Sequence, residues 1–163
     1  MTDLNAGSPA ILTPDVQQAV WFLGALVVFR LGGATTQGRF AVRDHHGERG
    51  HGSPLHRHDA EEETFFVLDG ELRVEVDGQA QAAGAGAVAF LPRRLPHGFV
   101  VTSPQARWLT VHTPAGFDDF VRAAGTLATS TDTPPDEPPP DPATLAAVAR
   151  AHGIEILGPP LAP

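Results

Sequence analysis

From His56 to Gly70 the chain reads HRHDAEEETFFVLDG. Two imidazoles one residue apart share a face if the stretch is extended, because alternate side chains of a strand point the same way. Glu63 can join them at the start of the next strand. Imidazole and carboxylate together suit a borderline divalent ion such as Fe, Ni, Mn, Co, Cu or Zn. A second segment, GAVAFLPRRLPHGFVV (86–101), offers a third imidazole at His97. A His-x-His pair alone is a weak signal in a chain where eight of 163 residues are histidine, and a polar loop that happens to contain histidines is the alternative.

The missing residue types narrow the chemistry further. The sequence has no cysteine, lysine or tyrosine. A thiol nucleophile, a disulfide framework and thiolate-bound zinc are therefore excluded, as are a Schiff base and a phosphate-binding P-loop lysine. General acid and base work must come from His, Glu or Asp. Nineteen acidic against eleven basic side chains give a net charge of -8, which repels a phosphate backbone or an anionic membrane surface. Nucleic acid and membrane are not expected partners. The acidic, polar start MTDLNAGSPAILTPD is unlike a targeting signal, so a cytoplasmic location is expected. The longest apolar run, 19–29, has eleven residues against the ~18 to 20 needed to span a bilayer, and is expected to be a buried strand.

The elements that must position these residues read as strands. Short apolar or alternating segments at 25–31, 38–44, 64–69, 71–76, 87–91, 97–101 and 107–112 are separated by Gly, Pro and two Asp-Gly pairs. Asp-Gly suits type I′ hairpin turns, whose central residues need positive φ. In ELRVEV, Leu72, Val74 and Val76 face one way and Glu71, Arg73 and Glu75 the other. Repeated hairpins without crossover helices favour a closed barrel or jelly roll. A helix is expected over 113–125, with Thr113 as N-cap, Pro114 at the first position and Gly125 past the end. Its face of Phe117, Phe120, Val121 and Ala124 packs on the barrel. TSTDTPPDEPPP (129–140) cannot build a core. The expected organisation is a barrel with its helix over 1–125, a Pro-rich linker over 126–141, and a helix opened by Asp141-Pro142 and closed by Gly153, with an apolar tail, over 142–163. That tail docks either on its own domain or on a second subunit.

The two segments together, Gly50 to Val101, resemble the two motifs of the cupin superfamily. The resemblance implies an all-β, cupin-type antiparallel β-barrel (a double-stranded β-helix or jelly roll) with short C-terminal helices. It also implies His56, His58, Glu63 and His97 as ligands of one divalent transition metal, with Gly50, Gly70, Gly86 and Pro92 shaping turns. Two positions depart from the pattern: Arg94 stands where glycine is usual and Val101 where asparagine is common. Against this stands a metal-free barrel with hydrogen-bonded histidines, which would bury three imidazoles and a carboxylate aimed at one point without a cation, at considerable cost. Glu61 and Glu62 are expected to be solvated, as are His45, His46 and His152. His51 and His112 divide evenly between pocket margin and plain structure.

A wider likeness, to single-domain cupins described as quercetin dioxygenase-like, implies a dioxygenase acting on a flavonol or a related enolic or phenolic aromatic compound, with Glu63 as ligand and base. A homodimer is expected on the same ground. A cyclase, isomerase or lyase of an aromatic or polyketide intermediate without oxygen use, and a non-catalytic small-molecule binder, use the same centre. Phe65, Val67, Phe99 and Val101, extended by Trp21, Phe40 and Trp108, are the candidate substrate-binding residues, with ordinary barrel core as the simpler reading of each.

Overall fold

The computed structural model describes residues 8–136 and 138–163. The apolar run 19–29 is not one strand but a hairpin. Leu23 and Gly24 both take positive φ, 51° and 88°, and turn β1 (Ala19–Phe22) back onto β2 (Ala25–Leu31). A one-turn helix α1 (Gly33–Thr36) leads into β3 (Ala41–Glu48), followed by β4 (Pro54–His58), β5 (Glu62–Asp69), β6 (Glu71–Val76) and β7 (Gln79–Gly84). Then come β8 (Val88–Leu91), β9 (His97–Val101), β10 (Gln105–Thr113), α2 (Phe117–Ala124), β11 (Thr126–Leu127), α3 (Pro142–Ala151) and β12 (Ile154–Pro160).

The strands form two antiparallel sheets, in the orders β11-β1-β2-β3-β10-β5-β8 and β12-β4-β9-β6-β7. The fold is a jelly roll of two facing sheets; among the described residues, sheet hydrogen bonds do not close it into a cylinder. The two Asp-Gly pairs do different work. Asp77 and Gly78, with φ of 50° and 77°, make the expected hairpin turn between β6 and β7. Asp69-Gly70 is a corner, because β5 and β6 belong to different sheets. Only Gly70 has positive φ there, and a Cβ at that position would come within 2.2 Å of the Gln105 carbonyl oxygen.

The side chains between the sheets sort by layer. Phe65, Val67, Leu72, Leu91, Val101 and Trp108 pack into one apolar core. Val20, Val27 and Phe29 form a second with Phe117, Phe120 and Val121 of α2, Leu145 and Ala149 of α3, and Ile154. The helical face expected on α2 is thus the buried one, although the helix starts at Phe117. Thr113 still pairs with Glu62 at the end of β10, and Gly116 is the N-cap. α3 begins as expected: the Asp141 carboxylate accepts from the Ala143 and Thr144 amides, with Pro142 in the first turn. Beyond Gly153, which has a φ of 71°, the tail pairs as β12 with β4 of its own chain. Among the described residues no helix is long and apolar enough to cross a membrane.

Candidate metal centre

Four strands carry the site. Alternation along β4 turns His56 and His58 to one face, and on β9 His97 is the register partner of His56. From the opposite sheet, β5 brings Glu63, whose register partner on β10 is His112. His56, His58, Glu63 and His97 are all buried, and one ligand atom from each lies within 4.8 Å of all the others. His56 Nε2 and His58 Nε2 are 3.2 Å apart. Glu63 Oε2 is 3.3 Å from His97 Nε2 and 3.8 Å from His58 Nε2.

Hydrogen bonding at the far side of the rings decides what these atoms present. His56 Nδ1 lies 2.7 Å from the Pro54 carbonyl oxygen, and His97 Nδ1 lies 3.0 Å from that of Leu95. A carbonyl only accepts, so both Nδ1 atoms carry the proton and both Nε2 atoms turn a lone pair inward. His58 Nδ1 faces Glu61 Oε2 at 3.5 Å, which favours the same tautomer. Three imidazole lone pairs and a carboxylate, acceptors all, therefore converge in a dry interior. Such a cluster is repulsive by itself and fits a divalent cation, with outer hydrogen bonds of the kind that orient metal-bound histidines. Burial pushes the His56 imidazole down to about 3, helped by His97 and His58. Burial would raise the Glu63 carboxyl, but His112 foremost outweighs it and the group is held well below the usual carboxylate range.

Residues 46–112 match the profile of the cupin domain, and this span contains all four convergent side chains. The chain belongs to the cupin superfamily. Over 90 residues it is 29% identical to quercetin 2,3-dioxygenase of Bacillus subtilis, an alignment that covers 55% of this chain but 27% of that protein. Among solved structures it is similar to an RmlC-like cupin from Shewanella frigidimarina, at 20% identity and a TM-score of 0.57, covering 69% of this chain and 97% of the other. It is also similar to the polyketide cyclase RemF from Streptomyces resistomycificus, at 21% identity and a TM-score of 0.55, covering 65% and 80% of the two chains. At such identities the solved structures share the fold.

Several residues of this cupin sit elsewhere than their sequence suggests. Glu61 is not solvated: it is 6% exposed and backs His58, which keeps its carboxyl low although burial opposes this. Its neighbour Glu62 does face outward, pairing with Arg93 at 3.2 Å. His45 is also buried, stacked on Trp108 at 5.1 Å with its Nε2 3.0 Å from Thr110 Oγ1. His46 is exposed beside Asp44, and His152 is partly buried against the Val148 carbonyl. His51 is partly buried, with Nδ1 3.1 Å from the Leu23 carbonyl oxygen and its ring tilted against Phe99 and Trp108. His112 lies at the site: Nε2 is 3.2 Å from Glu63 Oε1, off the ideal hydrogen-bonding line, and the ring stacks on Phe117 at 4.4 Å. Behind it, on β3, the fully buried Arg43 reaches His112 Nδ1 through Nη2. Sequence reading passed over Arg43, although its alternation with Ala41 and His45 puts a cation on the inward face of a strand.

The candidate substrate-binding residues divide. Phe65, Val67, Val101 and Trp108 are at most 2% exposed and fill the core between the sheets, with Phe99 packed against them. Trp21 instead lines an outer hollow of about 400 Å3 with His46, Asp69 and Arg107, and its indole donates to the Ser130 carbonyl. Phe40 is half-buried just before β3. The cavity that touches His56 is small, about 40 Å3, and lined by apolar side chains that include Phe22, Phe117 and Phe120. Leu23, Pro54, Leu145 and Ile156 line it too, and the same four residues border an outer cleft of about 730 Å3. The cavity and the cleft thus share an apolar wall beside the ligand histidine, formed partly by α3 and β12.

Proposed function

We propose that this cupin is a metal-dependent enzyme that opens an enolic or phenolic aromatic compound of flavonol type with dioxygen. The observation that carries the reading is the convergence of three imidazole lone pairs and one carboxylate, with a small apolar cavity beside His56. The similarity to quercetin 2,3-dioxygenase supports the reaction class. His56, His58, Glu63 and His97 would hold one divalent ion, which when bound acidifies a coordinated hydroxyl and leaves room for further ligands. Glu63, a carboxylate beside such a hydroxyl, would accept that proton as it loosens from the ion. Phe117, Phe120 and the rim of Leu145 and Ile156 select a flat apolar molecule and keep bulk water out.

The test is oxygen uptake. A flavonol or enediol added to metal-loaded protein in an oxygen electrode should draw down dioxygen, and turnover should stop under nitrogen. The same four side chains also serve a cyclase, isomerase or lyase, so turnover that continues under nitrogen moves the assignment there. Ligand binding without turnover moves it to a non-catalytic binder. For the homodimer, exposed Phe66, Leu68, Val88 and Phe90 on β5 and β8 offer an apolar surface, and light scattering measures the mass.

A further inference from the structure

Four histidines surround Glu63, and hydrogen bonding divides them into two kinds. His56 and His97 give their Nδ1 protons to carbonyl oxygens and face inward with lone pairs. His112 is reversed. Its Nδ1 is met by Arg43 Nη2, and a guanidinium has donors only, so this nitrogen must be the acceptor. In the neutral ring the proton then sits on Nε2, which faces Glu63 Oε1 at 3.2 Å. The opposite tautomer would set two N–H groups against each other in a site with no water access, since both Arg43 and His112 are fully buried.

We propose that Arg43 and His112 are positioning residues: Arg43 fixes His112 as the Nε2–H tautomer, and His112 in turn holds Glu63 Oε1, so that Glu63 meets the metal through Oε2 alone. The inference rests on the metal reading of the site and goes beyond it, because it assigns a role to a fourth inward-facing imidazole that is not a ligand. The two oxygens of Glu63 are already divided in this way, with Oε2 beside His97 and His58 and Oε1 beside His112. Stacking of the His112 ring on Phe117, 3° from parallel, and the Arg43 guanidinium 4.6 Å from the centre of the same Phe117 ring keep the pair in register. The register pairs His112 on β10 with Glu63 on β5, and Arg43 on β3, whose own partner is Thr110, reaches His112 diagonally from two residues along the adjacent strand.

The first test needs neither metal nor mutation. Long-range 15N–1H NMR of the metal-free chain at neutral pH should report a proton on His112 Nε2 and none on Nδ1; a proton on Nδ1 would overturn the proposal. The second is metal affinity, read by competition of Zn2+ and Co2+ with a chromophoric chelator. His112→Phe keeps the stack on Phe117 but removes the donor, and should weaken binding by about 10- to 100-fold, the usual scale for partners of metal ligands. His112→Gln, whose amide can still donate, should fall between that variant and wild type, and Arg43→Met should weaken binding while His112 loses its single tautomer. Affinity unchanged in His112→Phe would refute the positioning role. Melting curves of the metal-free variants check folding, and if they do not fold the wild-type tautomer decides alone. A wild type that takes up no metal yet shows the Nε2–H tautomer would sink the metal reading and leave the Arg43–His112 pairing standing.

Discussion

His97 Nε2 lies 3.3 Å from Glu63 Oε2, and neither atom carries a proton to share, because the His97 proton is committed to the Leu95 carbonyl. Without a cation this is a standing repulsion. Glu63→Gln would replace it with an amide able to donate to His97, for a gain of about 1 kcal/mol. The metal-free variant should melt about 2–4 °C above wild type, on the scaling for a chain of this size, while losing metal affinity and turnover. A variant that is less stable yet keeps both metal and full turnover would contradict this account of Glu63.

Adjacent glutamates should behave oppositely. Glu61 is buried against His58, whereas Glu62 makes a surface pair with Arg93. Glu61→Ala should cost about 10- to 100-fold in metal affinity by freeing the His58 ring. Glu62→Ala should change stability by less than about 1 kcal/mol and leave affinity alone. Equal effects of the two substitutions on a chelator competition would refute the division.

Acid should unfold the metal-free protein early. Burial lowers His51 and His112 to about 4, and His56 to about 3. Unfolded histidines bind protons below about pH 6.5, whereas these stay neutral in the folded chain. The unfolded state therefore holds more protons across that window, and stability rises with pH through it. On acidification from pH 7 toward 4, each should contribute a loss of up to about 1.4 kcal/mol per pH unit. Urea midpoints measured at pH 7.5, 6 and 5 should fall in that order; a flat profile would contradict the burial of these rings.

Arg94 keeps the glycine conformation of the turn it occupies. Its φ is 67°, and its amide donates to the His58 carbonyl at 2.8 Å, so the backbone between the ligand strands is preserved at the expense of strain. Arg94→Gly should stabilise the fold by up to about 1 kcal/mol, the relief of strain being partly offset by the entropy of glycine in the unfolded chain. A loss of stability in the melting curve would show that the Arg94 side chain contributes more than its backbone costs.

What could be read from sequence follows the range of each interaction. His56, His58 and Glu63 lie within eight residues on one strand and the start of the next, and with His97 their spacing was legible. The strand pattern of ELRVEV and the Asp141-Pro142 helix start are equally local. Glu61 was not legible as an inward residue, because its contact with His58 depends on the turn between β4 and β5. His45 and Arg43 were missed because both faces of β3 carry polar side chains, Arg43 and His45 on one and Asp44 and His46 on the other, so polarity does not mark the wet side. The role of His112 depends on Arg43, 69 residues away. The run 19–29 hides a hairpin for a related reason: a turn at Leu23 and Gly24 looks no less apolar than the strands it joins. Phe65, Val67, Val101 and Trp108 were inward as expected, but whether an inward side chain fills a core or lines a cavity depends on volumes that only the assembled sheets define.

Elemental analysis of protein purified without added metal tests the central claim most directly. The account predicts about one divalent transition ion per chain in the wild type, the stoichiometry of a single cluster of N and O ligands, and its loss in the His56→Ala, His97→Ala double variant with the fold retained by circular dichroism. A wild-type protein that stays metal-free after incubation with Fe, Mn, Co, Ni, Cu and Zn salts in turn, or a double variant that still retains the ion, would contradict it.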